Sequence, residues 1–357
     1  LIKVKTRGTD NVSSRKNLLV NGGMMVDQRN ATLQFSASSG YPCDRWYVGT
    51  NAIGTFQYTQ STDAPAGFGN SMKIQCTTAD TSLDAGSYNY IMHKLEGNAL
   101  QSMNSTNGIV EHTISFYAKA SKTGVYTVNI RDEDNGQGNS KTFTISAANT
   151  WERYTLTFPA HSSGKLGNDN LSSYRLYWWM ASGSNQTSGT FYNGTWGAHS
   201  NPNRVSSSNV NLGDSTSNNF YITGIQMEVG SEASDFEHRS FAEELQLCKR
   251  YFQVVRQGIM GECTNANGNC IWWYEFPVEM RALPSVSCTK TVYRYGDIVS
   301  IGVEMTSISV SAGGYRSEKT AVWSVGGTKS ATPVQYRPQL LEPQNANHGD
   351  FQFGAEL

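Results

Sequence analysis

The chain has 357 residues, with 28 Lys or Arg against 29 Asp or Glu and a formal net charge of −1. Charged residues are only 16% of the total, so there is no basic excess of the kind that meets a polyanion, and nucleic acid is not an expected partner. The length exceeds one ordinary core, which predicts two domains, and no run approaches the roughly 18 apolar residues of a membrane helix, so no membrane insertion is expected.

Residues 1–16 are polar and read as a linker. The chain starts at Leu1 rather than Met, and further sequence upstream is expected. From Asn17 the pattern changes: "NLLVNGGMMVDQR" holds two apolar runs around a Gly22-Gly23 break. Strand patterns then recur at short intervals in "HTISFYAKA", "GVYTVNIRD", "WERYTLTF", "SYRLYWWMA" and "NFYITGIQMEV". Regular short strands separated by turn clusters predict a β-sandwich or barrel. "LEGNALQSMN" reads as one short helical turn. The polar loops "ASGSNQTSGT" and "HSNPNRVSSSNVNLGDSTSNN" suit either ligand binding or packing.

One helix interrupts the strands. In "FEHRSFAEELQLCKRYF", Ser240 and Glu243 have the spacing of a capping box. Glu243 and Glu244 lie early and Lys249 and Arg250 late, which suits the helix dipole. Phe241, Leu245, Cys248 and Phe252 fall on one face. A connecting helix is therefore predicted over 239–254, after a β-sandwich at 17–238. "IWWYEFPVEMR", "DIVSIGVEMTSISVSA", "KTAVWSV" and "DFQFGAEL" restart the strands and predict a smaller C-terminal β domain over 255–357. In "FQFGAEL", Phe351 and Phe353 share a face and are expected to close a sheet edge.

The six cysteines form no CxxC pair, which argues against zinc. Cys263 and Cys270 flank a segment with an Asn267-Gly268 hairpin turn; a bridge across that hairpin and buried free thiols are both open readings. There is no HExxH and no GxSxG. Glu237 and His238 are adjacent, and alternation sends them to opposite faces of an extended chain. "RDEDNGQGN" places Asp132, Glu133 and Asp134 before a turn and fails the EF-hand pattern at Gly136 and Gln137. It offers one carboxylate to a glycosidase cleft without a nameable partner, and otherwise reads as a solvated hairpin turn. No catalytic residue is assigned.

Several blocks carry a resemblance. "NLLVNGGMMVDQRN", "YPCDRWYV", "PAGFGNSMKI", "ISAANTWERYTLTF", "GTFYNGTWGA" and "FYITGIQMEVGSEASDFEHRSFAEELQLCKRYFQ" resemble, in order across 17–254, the distal part of tail-fibre-like proteins of tailed bacteriophages. Such sequences are frequent in phages of marine and cyanobacterial hosts. More weakly, the blocks resemble jelly-roll carbohydrate-binding modules. Many of those hold a structural calcium with an acidic residue on the closing strand, where this chain has Thr223-Gly224. No cofactor and no metal site is expected, and structural calcium is left open.

The resemblance implies an all-β jelly-roll sandwich. It also implies a non-catalytic virion structural protein, a tail fibre that binds host surface polysaccharide. A glycan depolymerase and a head fibre or capsid decoration protein are the alternatives. Assembly in the host bacterial cytoplasm, a homotrimer, and contact with other virion tail proteins through an upstream region follow from the same resemblance. The stripe of Phe241, Leu245, Cys248 and Phe252 has the spacing to line a three-fold axis or to pack on the sandwich. Alternation turns Tyr174, Leu176, Trp178 and Met180, Ile114, Phe116 and Ala118, and Tyr126, Val128 and Ile130 inward. If these strands share a sheet, Tyr117, Asn129, Arg131, Arg175, Tyr177 and Trp179 converge outside as an aromatic and polar platform suited to glycan.

Overall fold

Two-residue alternation builds most of the molecule. A computed structural model describes residues 16–255, 259–263, 270–288, 292–297, 303–312, 317–329, 338–342 and 351–357. Residues 1–15 of the expected linker and the Asn267-Gly268 turn lie outside them. The chain divides into two units: Leu1–Met25, Thr32–Pro42 and Trp46–Arg239 form one, and Val26–Ala31, Cys43–Arg45 and Ser240–Leu357 the other.

In the first unit the strands are β1 (Leu33–Phe35), β2 (Ser38–Cys43), β3 (Trp46–Asn51), β4 (Thr55–Ser61), β5 (Ser71–Thr78), β6 (Tyr88–Glu96) and β7 (His112–Ala120). They continue as β8 (Gly124–Asp132), β9 (Gln137–Ile145), β10 (Glu152–Phe158), β11 (Ser172–Ser182), β12 (Gly197–Ala198) and β13 (Asn219–Val229). A six-stranded sheet runs β1-β4-β5-β13-β7-β10 and a seven-stranded sheet runs β12-β9-β8-β11-β6-β3-β2. The chain repeatedly crosses from one sheet to the other, which makes the expected jelly-roll sandwich. "LEGNALQSMN" is helical as read, a 3-10 segment at Gly97–Met103.

The inward assignments hold. Tyr174, Leu176, Trp178, Met180, Ile114, Phe116, Ala118, Tyr126, Val128 and Ile130 are all fully buried. Trp178 meets Trp46 of its own sheet edge-on at 5.7 Å and Phe116 of the opposite sheet at 5.8 Å. Such edge-to-face pairs add about 0.5–1.5 kcal/mol each beyond area burial. Asn89 Nδ2 donates to the Tyr58 hydroxyl at 2.6 Å, a buried hydrogen bond across the sandwich. Glu237 and His238 do point apart. Glu237 accepts from the Asn17 amide at 2.9 Å, and His238 packs against Phe236 and Phe68.

His112 is a buried titratable group in this core. Its Nδ1 lies 3.2 Å from the Val110 carbonyl and its Nε2 lies 2.8 Å from the Tyr174 hydroxyl. Neutral imidazole fits both contacts, with Nδ1–H donating and Nε2 accepting. Burial first, and His161 nearby, push its pKa down to about 4. The unfolded chain then takes up this proton at higher pH than the folded chain. The associated stability is complete above about pH 6.5 and is lost as pH falls towards 4. The stability gap between wild type and His112→Gln is expected to shrink by about 3 kcal/mol from neutral pH to about pH 4. Urea titrations of both proteins across that range check it; a gap that stays constant refutes it.

In the second unit the helix spans Phe241–Lys249 with the capping box in place: Ser240 Oγ accepts from the Glu243 amide at 3.3 Å, and Glu243 Oε2 accepts from the Ser240 amide at 2.9 Å. The helix is shorter than the predicted 239–254. The Tyr251 amide closes on the Cys248 carbonyl and the Tyr251 carbonyl accepts from Ala355, which draws the chain into a strand, β14 (Phe252–Val255). This breaks up the proposed stripe. Cys248 and Phe252 are buried within the chain, Leu245 is half-buried, and Phe241 is 56% exposed.

The remaining strands are β15 (Ile259–Cys263), β16 (Cys270–Glu275), β17 (Ser285–Cys288), β18 (Val292–Asp297), β19 (Val303–Ala312), β20 (Thr320–Lys329), β21 (Pro338–Glu342) and β22 (Phe351–Gly354). Strands β15-β16-β20-β19-β18-β21 close a barrel, and β14-β22-β17 form a separate three-stranded sheet. Cys263 and Cys270 are register partners across the β15–β16 hairpin. Cys43, Cys76 and Cys248 are buried free thiols.

Candidate functional site

The outward residues of the seven-stranded sheet form rows that can be read from strand register. One row is Lys94, Arg175 and Arg131, on β6, β11 and β8. The next is Tyr47, Met92, Tyr177 and Asn129, and the third is Gly49, Tyr90, Trp179 and Thr127. Tyr88 continues the β6 side, opposite Asn51.

The tyrosines make one ladder. Tyr88 and Tyr90 stack at 5.3 Å, Tyr90 and Tyr47 at 6.4 Å, and Tyr47 meets Tyr41 edge-on at 5.2 Å. Glycine at position 49 makes this possible: a Cβ there would stand 2.8 Å from the Tyr90 ring, so Tyr90 lies across the bare β3 backbone. Burial raises the Tyr88 and Tyr90 phenols above their ordinary range, so both remain hydroxyl donors at neutral pH. Tyr41, Tyr47, Tyr88 and Tyr90 are all half-buried, with part of each ring accessible.

The other side of the face is covered. The polar segment after β11 folds back over β8 and β9: Ser140 Oγ donates to the Arg204 carbonyl at 2.7 Å, and the Val210 amide donates to the Val125 carbonyl at 2.9 Å. Val205 enters a cluster with Met92, Tyr177 and Trp179. The Arg204 guanidinium lies 4.4 Å from the Tyr177 ring centre and 4.8 Å from that of Trp179, and its Nε donates to Asn129 Oδ1 at 3.1 Å. These long loops are packing loops along much of their length.

The six residues expected to converge therefore separate. Asn129, Arg131, Arg175, Tyr177 and Trp179 do share the outer face of one sheet. Tyr117 does not: β7 belongs to the six-stranded sheet, where Tyr117 packs on Phe68 at 5.4 Å above Gly224. Gly224 has φ +62, and a Cβ there would fall 2.6 Å from Phe68, so glycine serves this aromatic packing. Asn129, Tyr177 and Trp179 are buried beneath Arg204 and Val205 rather than open. Alternation gives the face of a residue; the loop that returns over it sets its exposure. Tyr47, Tyr88, Tyr90 and Arg204 were missed. For the β6 pair the signal was present in "YNYIMHKLE", where Tyr88, Tyr90, Met92 and Lys94 alternate with Asn89, Ile91 and His93.

At the charged end, Arg131 and Arg175 stand directly opposite each other, a repulsive cross-strand pair. Glu133 Oε1 lies 2.7 Å from Arg131 Nε and 3.2 Å from Arg175 Nε and bridges them. Desolvation first, then Arg131 and Arg204, push the half-buried His199 down to about 4, so it is neutral at physiological pH. The 132–134 turn is not simply solvated. Asp132 is fully buried, 3.0 Å from His161 Nε2 and bonded to Asn135, while Asp134 accepts from the Gly167 amide at 2.8 Å. Beside His161 lies an open depression of about 480 Å3 lined by Ser105, Ile109, Glu111 and Ser162 among others.

No protein-family model and no curated protein matches the chain. Among solved structures it is similar to the enzymatically active domain of tailspike protein 4 of bacteriophage CBA120, at 14% identity and a TM-score of 0.29. That match covers 60% of this chain and 21% of the other, so this chain spans about a fifth of that one's length. It is also similar to TmCBM61, solved with beta-1,4-galactotriose, at 9% identity, TM-score 0.29 and coverage of 60% and 100%. The family 11 carbohydrate-binding module of Clostridium thermocellum, solved with a beta-1,3-1,4-mixed-linked tetrasaccharide, matches at 12% identity, TM-score 0.24 and coverage of 60% and 96%.

Proposed function

We propose that the outer face of the seven-stranded sheet binds glycan, and that the chain is a non-catalytic receptor-binding part of a bacteriophage tail fibre acting as a homotrimer on host surface polysaccharide. The observation that carries the glycan reading is the half-exposed ladder Tyr41–Tyr47–Tyr90–Tyr88, flanked on the β11 side by Tyr177 and Trp179, with Arg204 over these two. Sugar C–H faces stack on such rings while hydroxyls bond phenols and guanidinium groups at the margin. The fibre, the virion location and the trimer rest on the ordered sequence blocks of residues 17–254. The engagement of Asp132, Glu133 and Asp134 supports a non-catalytic role.

Tyr47→Ala and Tyr90→Ala are each expected to weaken glycan-array and host-cell adsorption by about tenfold or more, with the larger fall in melting temperature in Tyr90→Ala, because Tyr90 also packs on Tyr177 and Trp179. Trp151→Ala serves as the control. Trp151 lies with Tyr221 and Lys119 on the six-stranded sheet. Binding that survives both tyrosine changes but fails in Trp151→Ala would move the site to that sheet.

A further inference from the structure

Resting on the glycan reading above, we infer that the preferred ligand is an acidic glycan, whose carboxylate or sulfate group is held by Arg175 and Arg131 beside the tyrosine ladder. Three guanidinium groups converge there: Arg131, Arg175 and Arg204. Glu133 bridges the first two, and Arg204 has no carboxylate within ion-pair distance among the described residues. Its guanidinium rests on the Tyr177 and Trp179 rings, so no acidic group neutralises it there. One carboxylate among three guanidinium groups leaves a local positive surplus on a chain of net charge −1.

Access fits the same assignment. The Arg131 and Arg175 side chains are 33% and 27% exposed, and Glu133 is 16% exposed. An anion can therefore reach the arginines without opening the sheet. Glu133 Oε1 and Arg131 Nε approach at 2.7 Å without hydrogen-bond alignment, and both atoms are buried. The pair is an electrostatic compromise, and the arginines keep capacity for a second anion. Adjacent strands lie about 4.8 Å apart, so the row from Lys94 through Arg175 to Arg131 spans about 10 Å. It runs parallel to the row of Tyr47 and Tyr177, one pleat away. A chain of sugars lying on the tyrosines places its acidic substituents over the cations.

The test compares matched probes that differ only in charge: alginate against carboxyl-reduced alginate, and dextran sulfate against dextran. The expected result is about tenfold tighter binding of at least one charged member, weakening as salt is raised. Arg175→Gln, which leaves the Arg131–Glu133 pair, should erase that preference. Glu133→Gln, which removes the competing carboxylate, should strengthen it. Lys73→Gln on the six-stranded sheet removes one positive charge elsewhere and should change nothing. Equal binding of charged and neutral members, still dependent on Tyr47 and Tyr90, overturns the acidic preference and leaves the glycan site standing. Equal losses in Arg175→Gln and Lys73→Gln overturn the site in favour of bulk attraction. Binding of these probes, or of the glycan array, that is indifferent to Tyr47, Tyr90 and Arg175 alike overturns the proposed face itself.

Discussion

Removal of residues 350–357 should unfold the second unit and expose aggregating strand edges. The sequence presents "FQFGAEL" as an edge-closing strand, but β22 is the middle strand of its sheet, bonded to β14 on one side and β17 on the other. Phe351 and Phe353 are 3% and 0% exposed, and Phe353 stacks on Tyr274 at 6.2 Å and meets Phe276 edge-on at 5.2 Å. Losing each phenylalanine costs about 3–5 kcal/mol on the scale of core truncations.

The deletion also removes Glu356, which lies 2.6 Å from Arg45 and 3.2 Å from Arg29. Arg45 is 2% exposed, and removing one partner of a buried ion pair costs up to about 3–5 kcal/mol. These losses together rival the roughly 5–15 kcal/mol that holds a whole domain, before the two orphaned edges are counted. Light scattering and limited proteolysis of the truncated protein provide the measurement. A soluble product with the wild-type protease pattern would sink the prediction.

The same strand shows which parts of the molecule were legible in the sequence. Alternation reports the face of each residue, because the side-chain period of a strand is fixed by the backbone. Phe351 and Phe353 share a face as read, and so do Tyr174, Leu176, Trp178 and Met180. Neighbours in a sheet are set by long-range pairing, which leaves no mark in a local pattern. Tyr117 could not be assigned to the opposite sheet on that basis, nor β22 to the centre of its own. The helix cap was legible because Ser240 and Glu243 act within one turn. Its C-terminal end was not, because Ala355 pulls Tyr251 out of helical geometry from more than a hundred residues away in the sequence. The charge count of the whole chain likewise conceals the Arg131–Arg175–Arg204 cluster, since a balanced total says nothing about where the signs gather.

Trp178→Ala and Trp179→Ala should destabilise the first unit by similar amounts, about 3–5 kcal/mol each, although the two side chains point to opposite faces of β11. Trp178 fills the space between the sheets. Trp179 is 1% exposed and is closed in by Tyr90 at 5.3 Å, Tyr177 at 5.9 Å and Arg204. Alanine there leaves a void beneath Val205 and removes the support on which Tyr90 rests. Loss of glycan binding in Trp179→Ala would therefore reflect collapse of the ladder rather than loss of a ring that touches sugar. Trp179→Phe separates the two effects. It keeps an aromatic ring against Tyr90 and eliminates an indole N–H that is buried without a partner, a group whose desolvation costs about 1–3 kcal/mol. It should retain most of the stability and most of the binding, whereas Tyr47→Ala, which leaves the rings around Trp179 in place, should lose the binding at a smaller cost in stability than Trp179→Ala. Thermal melts read beside adsorption for these variants decide the matter. A Trp179→Ala protein that melts within about 2 °C of wild type would mean that the loop does not seal this side of the sheet, and would return Trp179 to the set of residues that can touch ligand directly.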